Sequence, residues 1–491
     1  MTTVETAGGG DLRRAAASGT VWQGAAYVGG KAVVAVSTVV LARLLAPEAF
    51  GVVALATVFI SYADVVSDLG VAQAVIYRPG VAGVVRAATA CSLLFGLFLS
   101  GGALLLAAPI ATYFGDPQVA PLVRMLSVAL LAGAAASVPQ ALLRRDLRFR
   151  TLGVLALAQA LCTGGVAVVL ALRGAGPTAI VTGSVVGACI YAGLAWTTCR
   201  ARAAHTGARV RRSDLRLVLA YGLPVAGGML LAKLVADIDY LVVGRQQGVE
   251  QLGLYTLAFR VPELIIINAF FVVSSVTFPL YARASGDPVR MRRGYLSSVR
   301  AQSVYGLCAG AGLAVLSPAV VPIVLGSQWR GAVVPMALLA IYAALRSLGA
   351  GTNDVYKAMG RPRIILVVAS IRLAVLATVL VVVARWGIVA VAVAQVAAAA
   401  AFVVLMQGVA MRLLGLRTGE LVRAVAPSLA AGSAVALTCG AVLLVPVGDA
   451  VHLAMAVPLA VGAAAAALHL TAPTFLPGNV ALLRRRKVAT T

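Results

Sequence analysis

The sequence predicts an all-α polytopic membrane protein of about 14 transmembrane helices. Two six-helix lobes are expected, related by a pseudo-two-fold axis along the membrane normal, with two more helices at the C-terminus. Three observations predict this. Apolar runs of about 20 residues recur from end to end. Basic residues crowd into alternate segments between those runs. A stretch of the first half returns in the second.

The apolar runs come first. Of 491 residues, 61% are hydrophobic and 11% charged, where a soluble domain carries about 25% charged. Mean hydropathy is +0.98. Polar punctuation divides the chain into runs near 18–44, 50–76, 87–111, 118–143, 152–172, 177–198, 217–243, 251–280, 298–325, 332–356, 364–384, 387–410, 424–446 and 451–472. The expected organisation is a cytoplasmic N-terminal segment 1–17, an N-lobe 18–198, a basic linker 199–216, a C-lobe 217–410, a final pair of spans 424–472 and a basic tail 473–491. The first ten residues are polar and glycine-rich. The run that follows is too long for a cleavable signal and is expected to act as an uncleaved anchor.

The charge pattern sets orientation. Net charge is +24, which in a soluble chain would raise nucleic-acid binding. Here 29 of the 40 Lys and Arg lie in one set of alternate segments and five in the other. The larger set includes Arg144/Arg145/Arg148/Arg150, Arg290/Arg292/Arg293 and Lys357/Arg361/Arg363. This is the positive-inside pattern, and it puts both termini in the cytoplasm. No nucleic-acid partner is expected. The Arg484–Lys487 cluster reads as an anchor for the last span or as a site for anionic membrane lipids.

The repeat defines the lobes. RLLAPEAFGVVALA (43–56) aligns with RQQGVEQLGLYTLA (245–258) at a shift of 202. Arg43 falls on Arg245, Glu48 on Glu250, Gly51 on Gly253 and Lys31 on Lys233. Pro121 and Leu131 fall on Pro335 and Leu345 at a shift of 214. An even number of spans separates the copies, so they point the same way across the bilayer.

Chemical motifs are scarce. Cys91, Cys162, Cys189, Cys199, Cys308 and Cys439 form no CxxC spacing and read as packing residues. His205, His452 and His469 are scattered and suggest no metal site. There is no P-loop, GxSxG or HExxH, so no enzyme and no bound cofactor are expected.

Charge inside the spans is the remaining signal. A mid-bilayer ionisable group costs roughly 2.5–3.5 kcal/mol on insertion scales, so it tends to face a partner or a wet cavity. Lys31, Lys233, Arg124, Arg260 and Arg346 are expected to line a cavity and attract a diphosphate-bearing head group. The competing reading is salt bridges that fix packing. Around Lys31 the helical neighbours Tyr27, Val28, Val34 and Ala35 include no acid, whereas Lys233 has Asp237 at i+4. Arg372 lies near enough a cytoplasmic end to snorkel. Among the acids Asp64, Asp68, Asp237, Asp239, Glu263 and Asp354, the candidates for carrying a coupling cation are Asp64, Asp237 and Asp239. Asp68 reads as helix-terminal. Pro224, Pro262, Pro279, Pro318 and Pro322 interrupt three consecutive spans, where they free backbone carbonyls.

Residues 41–79, LARLLAPEAFGVVALATVFISYADVVSDLGVAQAVIYRP, carry a family resemblance. So do VPQALLRRDLRF (138–149), DYLVVGRQQGVEQLGLYTLAFRVPE (239–263), FPLYAR (278–283), LGSQW (325–329) and AMGRPR (358–363). The chain resembles the polysaccharide transporter, or oligosaccharide flippase, family of the multidrug/oligosaccharidyl-lipid/polysaccharide exporter superfamily, in its colanic-acid and teichuronic-acid exporter branch. These motifs are specific to the family and not to one sugar. The resemblance implies a V-shaped bundle in a bacterial plasma (inner) membrane, alternating between inward-open and outward-open states. It implies export of an undecaprenyl-diphosphate-linked oligosaccharide, driven by a coupling cation (proton or sodium), for cell-surface polysaccharide synthesis. Polysaccharide polymerase and glycosyltransferases are the implied partners, and the family's Asp at the end of span seven falls on Asp239. Three other readings remain: a cation-coupled multidrug exporter, a lipid II flippase and a non-transporting scaffold of glycan assembly. Buried cations weigh against the first, and their insertion cost against the last.

Overall fold

A computed structural model describes residues 9–68, 82–203, 212–270, 273–274, 277, 281 and 287–472. Residues 1–8, 204–211 and 473–491, from the expected N-terminal segment, linker and tail, lie outside the described residues, as do Arg78 and Pro279. Every long element described is helical. The helices are α1 (Gly9–Leu44), α2 (Pro47–Asp68), α3 (Ala82–Phe114), α4 (Val119–Arg145), α5 (Phe149–Leu172), α6 (Pro177–Ala203), α7 (Arg212–Gln246) and α8 (Gly248–Pro262). They continue with α9 (Pro288–Val320), α10 (Val333–Gly349), α11 (Thr352–Ala358), α12 (Arg363–Val383), α13 (Ile388–Leu414), α14 (Thr418–Leu443) and α15 (Asp449–Thr471).

Among the described residues, 13 stretches are long and apolar enough to cross a membrane. The expected seventh span, α7, is not among them. It carries Lys233, Asp237 and Asp239 within two turns. Phe98, Leu105, Val404 and Leu437 are exposed. Apolar side chains turned outward along whole helices suit a hydrocarbon solvent, not water.

The chain forms two compact units, Met1–Gly253 and Leu254–Thr491. Helix α7 falls in the first unit, where it packs on α2 and α3. The close fit of Gly244 against Leu55 supplies the reason: no side chain holds the helices apart there.

Small residues bring the first unit's helices together, as membrane packing requires. Gly164 of α5 lies on Ser37 of α1, and Gly183 and Gly187 of α6 lie on Thr163 of α5. Hydroxyls and an indole bond across helices. Ser92 Oγ donates to Ala134 O at 2.8 Å, Ser100 Oγ to Ser127 O at 2.9 Å and Trp196 Nε1 to Ala135 O at 2.9 Å. Leu142, Leu143, Leu152, Leu155 and Ala195 fill the core between α4, α5 and α6.

In the second unit α9 is central, packing on α10 and α14. Gly306 and Gly310 meet Ser347 and Ala344, and Gly432 meets Leu307. The Ser303 and Ser428 hydroxyls are 2.8 Å apart. The C-terminal pair is therefore integral through α14, with α15 packed upon it. Tyr295 Oη donates to Gln407 Oε1 at 2.5 Å, Gln407 Nε2 donates to the Leu348 carbonyl, and Tyr356 Oη donates to Met406 O at 2.6 Å.

Two of the expected proline interruptions are visible as π-helical turns. Glu263–Ile267 follows Pro262, and Val321–Leu325 contains Pro322. A proline removes one backbone donor and shifts the ladder. Side chains take up carbonyls at the first turn: Asn268 Nδ2 donates to Glu263 O at 3.0 Å and Tyr305 Oη to Ile265 O at 2.5 Å.

Candidate functional site

Each unit contains a polar cavity. The cavity of the second unit, about 290 Å³, is walled by α10, α11, α12 and α13 and includes Arg346, Lys357, Arg372, Asp354 and Phe402. Arg346 Nη1 and Arg372 Nη2 each donate to Tyr342 Oη at 3.2 Å. Arg372 also lies 5.9 Å from the Phe402 ring centroid. Its Nε is buried and meets no acceptor among the described residues. The one acid of this cavity is occupied: Asp354 Oδ2 accepts from Ser274 Oγ at 2.6 Å and Thr277 Oγ1 at 3.4 Å. Three cations against one engaged carboxylate make this an anion-attracting chamber.

The cavity of the first unit is larger, about 530 Å³, and lies among α1, α2, α4, α5, α6 and α7. Tyr27, Asp64, Gln140, Arg144, Gln159 and Tyr191 supply its polar lining. Gln140 and Arg144 stand beside the Tyr191 hydroxyl.

The structure distributes the expected site residues widely. Arg346 lines the cationic cavity. Lys31 Nζ stands 5.6 Å from the ring centroid of Tyr27, a residue that lines the first unit's cavity. Lys233 Nζ pairs with Asp237 Oδ2 at 2.8 Å, and Arg260 Nη1 with Glu263 Oε2 at 3.0 Å. These two pairs match the packing alternative. The Arg124 side chain is exposed. Asp64 opens into the first cavity. Asp237 and Asp239 are buried and act electrostatically on Tyr62. The Tyr62 hydroxyl is buried and has no hydrogen-bond partner among the described residues.

Sequence reasoning missed Tyr342, placed Lys357 in a loop and set Arg372 aside as a snorkelling residue. One signal was present: Arg346 and Arg372 are both cations inside apolar spans, on consecutive long helices. Nothing in the sequence shows that they share an acceptor.

Comparison with known proteins places this geometry in context. The chain is 24% identical over 358 residues to the lipopolysaccharide biosynthesis protein WzxC of Escherichia coli (strain K12), covering 71% of each. It is 25% identical over 306 residues to the teichuronic acid biosynthesis protein TuaB of Bacillus subtilis (strain 168), covering 61% of this chain and 62% of that relative. The latter match is under two thirds of the relative's length. Its fold is shared with a solved lipid II flippase, MurJ, in an inward closed conformation. That likeness has a TM-score of 0.74 and 12% identity, covering 93% of this chain and all of the other. The sequence profile of the polysaccharide biosynthesis protein family matches residues 40–334, and this multi-pass membrane protein belongs to that family.

Proposed function

We propose that the protein is a flippase that carries an undecaprenyl-diphosphate-linked oligosaccharide from the cytoplasmic to the outer leaflet of a bacterial inner membrane. It works by ion-coupled alternating access, with both termini in the cytoplasm. The carrying observation is the convergence of Arg346 and Arg372 on one phenol oxygen, at a cavity that Lys357 also lines. Two guanidinium forks and an ammonium suit a diphosphate, whose oxygens accept bidentate bonds. The buried Nε of Arg372 is a donor already desolvated. On the positive-inside orientation, Lys357 and the ends of α10 and α12 that bear these cations lie toward the cytoplasm, where a lipid-linked glycan would load.

Lys31 is a further head-group ligand in this reading. Lys233 and Arg260 reach an anion only by exchanging their carboxylate partners. Arg124, exposed, takes part at the edge of the path. Asp64, Asp237 and Asp239 carry the coupling proton or sodium ion. No other cofactor enters. Polymerase and glycosyltransferases act before and after the transported species.

The test is genetic and chemical. Deleting the gene should cause a lipid-linked saccharide to accumulate on the cytoplasmic leaflet. Wild type should clear it, and Arg346→Ala/Arg372→Ala should not. Absence of accumulation, with gained sensitivity to cationic drugs, would reject the flippase in favour of a drug exporter.

A further inference from the structure

The two cavities occupy corresponding places in the repeat, and this correspondence makes their difference informative. At the 214-residue shift, Ala136 falls on Ala350 and Gln140 on Asp354; the first of each pair lines one cavity and the second the other. Helices α5 and α6, which wall the first, correspond in order to α12 and α13, which wall the second. The duplicated chambers have diverged in chemistry. The second holds Arg346, Lys357 and Arg372 against Asp354. The first holds Arg144 against Asp64, with no formal excess of charge in its lining, and is the larger.

We infer that the first unit's cavity is a saccharide-binding site, which takes the glycan portion of a substrate and not its phosphates; this rests on the flippase reading above. The lining supports it in three ways. A sugar hydroxyl donates and accepts at once, and the amides of Gln140 and Gln159 and the phenols of Tyr27 and Tyr191 do the same. Tyr27 and Tyr191 both line the cavity, and they set aromatic carbon beside the polar groups, as the mixed C–H and hydroxyl surface of a sugar requires. A volume of about 530 Å³ falls within the range of small-ligand pockets, about 300–1,000 Å³. The lining also lies on the right side. Arg144, Asp64, Gln159 and Tyr191 each fall within about three turns of a span end that the charge census puts in the cytoplasm.

Saturation-transfer NMR on the full chain in lipid nanodiscs tests the site. The probes are neutral trisaccharides of glucose, galactose, mannose and N-acetylglucosamine, with inorganic diphosphate as a separate arm. At least one trisaccharide should bind. Gln159→Leu should weaken it about tenfold, the size expected when one or two hydrogen bonds are lost. Diphosphate binding should stay unchanged in that variant. Gln140→Leu, on a different helix, gives an independent reading should Gln159→Leu fail to fold. The proposal is overturned when no trisaccharide binds, when binding survives both substitutions, or when diphosphate is the ligand lost. The accumulation assay on the deletion strain is separate: a strain that accumulates lipid-linked glycan, with a Gln159→Leu protein that binds sugar normally, keeps the flippase and loses this site.

Discussion

Arg346 and Arg372 donate to the same atom, Tyr342 Oη, at 3.2 Å each. A neutral phenol oxygen compensates neither charge. The pair is held ready for an anion by packing, with Arg372 laid against Phe402. Removing either guanidinium should weaken binding of farnesyl diphosphate to the nanodisc-embedded protein. A charge-assisted hydrogen bond contributes about 1.5–3 kcal/mol, so the expected loss is roughly 10- to 100-fold. Arg→Lys at either position should retain part of the charge effect and lose the fork. Unchanged affinity in both Arg→Ala variants would remove this chamber from the substrate path.

The Lys233–Asp237 pair gives a second expectation. Its nitrogen and oxygen are 2.8 Å apart one helical turn away, with Lys233 34% and Asp237 11% exposed. Such contacting residues show coupling of about 0.5–3 kcal/mol in double-mutant cycles. Lys233→Ala and Asp237→Ala should each lower resistance to unfolding, and the double variant should lose less than their sum. Transport that fails in Lys233→Ala, while the double variant regains it, identifies a structural pair. Failure in both places the pair, and not the lysine alone, on the transport path.

Much of this fold was legible because a bilayer imposes simple rules. Apolar length gave the spans, and arginine placement gave a loop pattern with Arg144 and Lys357 near helix ends. The 202-residue repeat located Gly51 and Gly253 before their contact was visible. The contact that holds α7 was not legible. Arg200–Arg216 reads as a linker by composition, whereas the packing of Gly244 on Leu55 that joins α7 to the first unit is a matter of shape. The site was half legible for the same reason. Intramembrane charge singled out Arg346 and Asp64, which line cavities, but sequence spacing cannot show that Arg372, from another helix, reaches the oxygen that Arg346 uses. Nor could it separate Lys233, already held by Asp237, from a cation facing a cavity.

The second unit's buried polar network supplies a stability test. Tyr295 is fully buried, and its hydroxyl depends on Gln407, which in turn donates to the Leu348 carbonyl. Gln407→Leu strands both groups. Each buried unsatisfied group costs about 1–3 kcal/mol, so unfolding in detergent should shift clearly to lower temperature. Adding Tyr295→Phe should recover part of the loss, because it removes the stranded hydroxyl. A Gln407→Leu protein as stable as wild type would show that water or a rearranged side chain satisfies both.

Gly51 and Gly253, the glycines that the repeat superposes, should be the least replaceable of the helical glycines. A methyl group on Gly51 would collide with the Val249 carbonyl oxygen and stand 3.0 Å from Gly253 N, and a methyl on Gly253 would collide with the Pro47 carbonyl. Backbone atoms cannot rotate aside as side chains can, so the helices must separate. Overpacking of this kind costs about 1–3 kcal/mol. Gly165, also helical, has open space where its methyl would point. There alanine should be neutral or stabilise by about 0.5–1 kcal/mol, since glycine is the poorer helix former. Detergent unfolding of Gly51→Ala, Gly253→Ala and Gly165→Ala measures the contrast. The same loss at all three would mean that the close backbone contact does not set the cost.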